Sequence, residues 1–195
     1  MSKLTISEGN IKIGAVPNIS LTPGASCVPG VPCLGDGCYA MKSYRRYPNV
    51  RTAWDDNLQL WQSDPEGFMD QFAEYFKRCK PPRFRWHVGG DIPDQAYADM
   101  MKGMAMLYNE TSFLCFTKRY ELDLVHRESN LKFVLSTWPG LPAPTDPYLP
   151  TAWLAEDSRA PFDAFHIRCP GHCGSCGYSC WDILEPGMAV IFPKH

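Results

Sequence analysis

The chain has 195 residues, 45% of them hydrophobic and 13% aromatic, enough for one well-filled core and too few for two ordinary domains. Nineteen basic against twenty-one acidic residues leave a net charge of −2, so bulk charge gives no generic grip on nucleic acid. No apolar run approaches the roughly twenty residues that span a bilayer, and the opening MSKLTISEGNIK lacks the apolar stretch of an export leader. A cytoplasmic location without a membrane partner is therefore expected.

Residues 11–21 are expected to hold a short strand, broken by Gly14 and Pro17, before a loop dense in cysteine, proline and glycine. Tyr39 to Tyr47 is a first helical stretch. Asn49 is placed to cap a second helix with Val50, Trp54, Leu58 and Trp61 on one face. Asp64-Pro65-Glu66 reads as a third helix start, an acidic cap followed by proline. The buried face predicted for this helix is Phe68, Met69, Phe72, Tyr75, Phe76 and Cys79, which makes Cys79 a small core residue. Phe84, Trp86 and Val88 alternate with Arg85 and His87, a strand signal that stops at Gly89-Gly90-Asp91.

Pro93 opens a helix carrying Tyr97, Met100, Met101, Met104 and Leu107 on one side. Residues 112–116 form an apolar run, as expected of a strand covered on both faces, with Cys115 in the core. Further strands are predicted at 131–135, 152–154, 163–167 and 188–192, and the five prolines of 139–150 mark a connector. Strands alternating with helices are the rhythm of parallel α/β units. The expected architecture is a single-domain α/β fold, a partial or open (β/α) barrel of about six strands, with a doubly wound sheet as the second choice.

Function in such folds collects at the carboxyl ends of the strands. Those ends carry Gly89-Gly90-Asp91, Lys118-Arg119, Ser136-Thr137, Glu156-Asp157 and Arg168-Cys169. Seven of the nine cysteines fall in two groups, and the odd total and the missing leader favour ligation over disulfides. Cys27-x5-Cys33-x4-Cys38 can supply three thiolates from one loop to an iron–sulfur cluster, leaving a fourth iron open. Zinc prefers four ligands in tight pairs, which this loop lacks. Cys169, Cys173, Cys176 and Cys180, with His172 among them, suit either a tetrahedral zinc or a second cluster, and one of these thiols could instead complete the first. His87 stands near the rim, where it either faces the site or is hydrogen-bonded within the fold.

The stretches PNISLTPGASC, CYAMKSYRRYPNVRTAWDDNLQLW, FRWHVGGDIPDQAY, FTKRYEL and STWPGLP resemble the phage gene product 88 domain family, a likeness that extends through the C-terminal cysteines to VIFPKH. More distantly the order of motifs is similar to radical SAM-like proteins. That resemblance implies a [4Fe–4S] cluster on Cys27, Cys33 and Cys38, and S-adenosylmethionine held by Gly89, Gly90 and Asp91. It also gives Lys118 and Arg119 an anionic substrate or the cofactor carboxylate to hold. The family spacing C-x3-C-x2-C is stretched here, which keeps [3Fe–4S] beside [4Fe–4S]. Three functions stay open: a radical enzyme acting on a modified nucleotide or a peptide, a non-catalytic cluster protein that carries electrons, senses redox state or binds a host protein in the host cytoplasm, and a zinc-stabilised binding module.

Overall fold

A computed structural model describes residues 3–35, 37–161 and 165–193. Seven parallel strands form one sheet: β1 (Asn18–Ile19), β2 (Arg83–Trp86), β3 (Ser112–Thr117), β4 (Leu131–Ser136), β5 (Thr151–Leu154), β6 (His166–Arg168) and β7 (Ala189–Phe192). Their order is β1-β2-β3-β4-β5-β7-β6, so the last strand inserts between its two predecessors. The sheet is open, with one more strand than the six or so expected.

Three helices cover one face. They are α2 (Pro48–Ser63), α3 (Pro65–Cys79) and α4 (Gln95–Leu107), preceded by the shorter α1 (Tyr39–Arg46). Asp64 caps α3 as its sequence predicts, accepting from the Gly67 amide at 2.9 Å. The α2 start differs: Tyr47 is the cap and Pro48 the first helical residue, because a fixed proline φ is already helical there. Asp94, one residue after the expected Pro93, caps α4 through Tyr97 N. Phe72 and Phe76 of α3 pack on Phe84 and Trp86 of β2, with the Phe72 and Trp86 rings stacked at 4.8 Å.

Two apolar expectations fail for the same reason. Cys79 is exposed, and so is Met69, because the periodic face of α3 is wider than the strip that touches the sheet. Cys115 is buried, as expected. At the start of the chain, β1 is only two residues long. Residues 10–14 form a small antiparallel hairpin instead of a strand, which leaves Ile11 91% exposed.

Among the described residues, the opposite face of the sheet carries no helix layer like the first. Leu114, Val134, Ala152, Ile167 and Val190 line it, packed against Trp181 and Leu184 of the C-terminal segment. That segment includes the one-turn α5 (Cys180–Ile183). It is pinned to the feet of the strands: Trp181 Nε1 donates to the Phe84 carbonyl at 3.0 Å, Asp182 pairs with Arg83 and Glu185 with Lys132. Across the open side, the Cys173 amide donates to the Lys12 carbonyl at 2.7 Å. A methyl group at Gly14 would stand 3.5 Å from Gly174 Cα. Loops thus bridge the two edges that backbone pairing leaves apart. Among the described residues, no helix is long and apolar enough to cross a membrane.

Candidate functional site

Strand alternation decides what faces the uncovered side. Ile19, Phe84, Trp86, Phe113, Cys115 and Phe133 point to the helices, so Asn18, Arg85, Leu114, Phe116 and Ser136 take the other face. Those five line a cavity of about 1400 Å³ on the inner side of the sheet. All seven clustered cysteines border it, from loops about 140 residues apart in sequence. The expected rim at the strand ends is therefore the mouth of a deeper chamber.

At the mouth, Cys27 precedes a short 3-10 turn (Pro32–Leu34) that carries Cys33, and Cys38 caps α1. The Gly24 amide donates to Cys27 Sγ at 3.3 Å and the Met41 amide to Cys38 Sγ at 3.4 Å. The Cys33 thiol donates to Cys38, which lowers the Cys38 pKa to about 6, helped by the amides of Met41 and Ala40. Cys33, as the donor, moves in the opposite direction, and burial raises Cys27. The Lys118 ammonium favours the thiolate form of all three. Its Nζ donates to Ser136 Oγ at 3.3 Å.

Gly89-Gly90-Asp91 lies directly behind this loop, and its contacts are with the protein itself. The Gly89 amide donates to Ser20 Oγ at 2.9 Å, and the Gly89 carbonyl accepts from Leu21 N. Gly90 has φ +78°, and a Cβ there would lie 2.5 Å from Ser26 Oγ and 2.6 Å from the Leu21 carbonyl oxygen. The Asp91 amide donates to Ser26 Oγ at 3.1 Å. The Asp91 carboxylate is buried and accepts from Thr117 Oγ1 at 2.6 Å, Ile92 N at 2.8 Å and Lys118 N at 2.9 Å. Burial raises its pKa, against the pull of those donors. Asp91 clasps β2 to β3 and seats the residue beside Cys27, so it is not presented as a free acid to a ligand.

Other rim residues are also engaged within the fold. Arg119 turns away from the cavity, and its Nη1 donates to the carbonyls of Ile92 and Pro93 at 2.7 and 2.8 Å. This corrects its assignment to an anionic substrate. Asp157 is closed by Arg159. His87 is buried, with Nε2 3.2 Å from Tyr97 OH and Nδ1 3.8 Å from Cys115 Sγ. Burial lowers its pKa to about 3, so it is a neutral core histidine.

The C-terminal group starts where β6 ends and runs over the inner face to α5. Burial raises the pKa of Cys169 and Cys173, and takes Cys180 to about 12. The cation that opposes this at all three is Arg85, which reads in the sequence only as a polar alternate between Phe84 and Trp86. A charge in a strand covered on both faces is the signal that could have found it. Each cysteine group thus has its own cation, Lys118 at the mouth and Arg85 within. Among the described residues, no three His, Cys, Asp or Glu side chains are placed to share a single metal ion. All nine cysteines are free thiols in this structure.

A search of protein families matches the model described as gene product 88 over residues 2–138. The match takes in β1 to β4, the three thiols at the mouth, Gly89 to Asp91 and Lys118, but stops before Cys169 to Cys180. It is thus shorter than the likeness to the chain end expected from the sequence. No curated protein and no solved structure matches the chain. A match over well more than half its length settles membership: the chain belongs to the gene product 88 family of phage proteins.

Proposed function

We propose that this phage protein binds an iron–sulfur cluster at the mouth of its inner cavity, on Cys27, Cys33 and Cys38. The observation that carries the reading is the meeting of two cysteine groups, distant in sequence, on one chamber with a cation beside each. Three thiols from a single loop fit such a group chemically: Cys38 is readily ionised, amides reach Cys27 and Cys38, and the Lys118 ammonium favours the thiolate form of all three. When bound, the cluster would supply one-electron transfer. The chain's own contribution is to keep Cys38 in thiolate form, to hold the loop through Ser26 against Gly90 and Asp91, and to shield the site with Val31 and Tyr39.

Room beside the cluster favours chemistry on a small molecule over simple electron carriage. Ligand pockets commonly measure about 300–1,000 Å³, and this cavity, at about 1400 Å³, can seat a ligand as well as a cluster. The donor set does not fit the expected contact of S-adenosylmethionine with Asp91, whose carboxylate is closed by Thr117, Ile92 and Lys118. No step is therefore assigned to that cofactor.

Anaerobic purification followed by iron, sulfide and zinc analysis tests the reading. A brown protein with matching iron and sulfide is expected, and Cys33→Ser should lose the iron held at the mouth while Cys79→Ser keeps it. Zinc without iron would refute the cluster and leave the zinc-stabilised binding module.

A further inference from the structure

Arg83, Arg85 and Lys132 are strand cations on the inner face of the sheet, and the fold supplies a carboxylate for two of them. Arg83 on β2 pairs with Asp182 at 2.7 Å, and Lys132 on β4 pairs with Glu185 at 2.8 Å. Arg85, two residues beyond Arg83 and so on the same face, pairs with no carboxylate among the described residues. Its partners in register are Asn18 on β1 and Leu114 on β3, both neutral. The side chain is half-buried and borders the cavity. A charge partly withdrawn from water is costly unless something opposite in sign meets it.

The guanidinium is also held in place. Its carbon lies 4.2 Å from the centroid of the Phe116 ring, and its Nε donates to the Trp86 carbonyl at 3.2 Å. These two contacts leave both terminal nitrogens without a hydrogen bond among the described residues. Two parallel N–H donors at the end of a planar fork match the two oxygens of a carboxylate. The surroundings are apolar: Phe192 meets Phe116 edge-on at 5.5 Å, and Leu114, Ile167 and Val190 continue the wall. A few fixed polar groups in an apolar chamber are the usual make-up of a small-molecule site. One guanidinium balances one negative charge, which a carboxylate brings; a phosphate monoester brings about 1.5 to 2 at neutral pH, leaving part of it unmatched.

We propose that the chamber binds a small carboxylic acid with an apolar body, its carboxylate forked on the terminal nitrogens of Arg85 and its body against Phe116, Phe192 and Val190. The inference rests on the proposed function for the chemistry that follows binding, since it names the class of small molecule seated beside the cluster. The binding itself depends only on Arg85 and the wall around it.

The test is isothermal titration calorimetry on the anaerobically purified full chain, with iron measured on the same samples. The probes are phenylbutyrate, the neutral phenylbutanol and the more highly charged phenyl phosphate. The wild type should bind the acid at least about tenfold more tightly than the alcohol or the phosphate. Arg85→Met should weaken the acid by about tenfold to a hundredfold, the loss of one charged, forked pair, and should leave the alcohol within a few-fold of wild type. Arg85→Lys keeps the charge without the fork and should fall between the two. Should Arg85→Met fail to fold, Arg85→Lys decides the matter through the ratio of acid to alcohol affinity. No binding of the acid, equal binding of acid and alcohol, or an acid affinity that ignores Arg85 overturns the inference. Tighter binding of phenyl phosphate overturns the carboxylate in favour of a phosphate. Iron-loaded protein that does not take the acid overturns this inference alone, whereas acid binding by protein devoid of iron upholds it and removes the proposed cluster.

Discussion

Replacing Asp91 by Asn separates a structural clasp from a ligand-binding acid. The wild-type carboxylate takes Thr117 Oγ–H and Ile92 N–H on one oxygen and Lys118 N–H on the other. An Asn can keep its oxygen toward the first pair, but its amide nitrogen then meets the Lys118 N–H donor to donor. One charge-assisted bond is lost, worth about 1.5–3 kcal/mol, and a poorly solvated donor is left unpaired, costing about 1–3 kcal/mol when fully buried. Local relaxation recovers part of that, so the expected destabilisation is about 3 kcal/mol. For a chain of this size that corresponds to a melting-temperature drop of about 6–12 °C. Urea denaturation of metal-free protein, followed by tryptophan fluorescence, gives the free energy directly. Thr117→Val should cost less, about 1–2 kcal/mol, and its effect should shrink in the Asp91→Asn background, because both act on one carboxylate. A variant that melts with wild type, or two effects that simply add, would refute the clasp.

Gly90→Ala must place a Cβ 2.5 Å from Ser26 Oγ at a φ of +78°. The left-handed conformation alone costs about 1–2 kcal/mol, and the shift in the thiol loop should add to it, whereas Gly103→Ala on α4 meets nothing within 4 Å and should be neutral or stabilising in the same urea assay. In reduced, metal-free protein, Cys38 should alkylate before Cys33, its rate rising through pH about 6; mass mapping after iodoacetamide pulses checks the order, and Cys33→Ala should shift the rise to higher pH. Because the folded pKa of Cys38 lies below its unfolded value of 9.0, the stabilisation this thiolate gives is complete above pH 9 and fades as the pH falls toward 6. His87, with a folded pKa of about 3 against 6.5 unfolded, binds its proton more readily in the unfolded chain. Stability should therefore drop as pH falls from 6.5, by about 3 kcal/mol at pH 4, and His87→Asn, which tolerates the residue's left-handed φ of +50°, should flatten that limb of a pH series of urea melts.

Local signals in the sequence carried most of the elements. The alternation of Phe84 and Trp86 with Arg85 gave β2, and Asp64-Pro65 gave the start of α3, because each depends only on near neighbours. What the sequence hid is non-local. Nothing near Ala189–Phe192 says that β7 enters between β5 and β6, since a two-faced apolar strand fits any interior slot. Cys79 keeps the helical period of its buried neighbours yet is exposed, and only the packing shows how wide a strip of α3 is covered. The cysteine groups were visible from spacing, but their shared chamber depends on long-range contacts such as the Cys173 to Lys12 bridge. Gly-Gly-Asp was legible as a special site and misleading as to its role. A motif names residue types, whereas Ser20, Ser26 and Thr117, which consume its donors and acceptors, lie up to 69 residues from the groups they bond.

The family match ends at Trp138, but the structure does not divide there. β5 pairs in parallel with β4, continuing the sheet through Leu135 and Thr151. Leu114 and Val134, inside the matched region, are covered by Trp181 and Leu184 from beyond it, and each such side chain contributes about 1.5–3 kcal/mol when buried. Arg83 and Lys132 likewise find their acids at Asp182 and Glu185. Residues 2–138 therefore hold the three-cysteine mouth and its Asp91 clasp but lack the wall that makes the mouth open into a chamber. The C-terminal segment supplies that wall and four thiols together. Its fold and its chemistry come as one piece, since the run that packs Trp181 under β2 is the run that brings Cys169, Cys173 and Cys180 to Arg85.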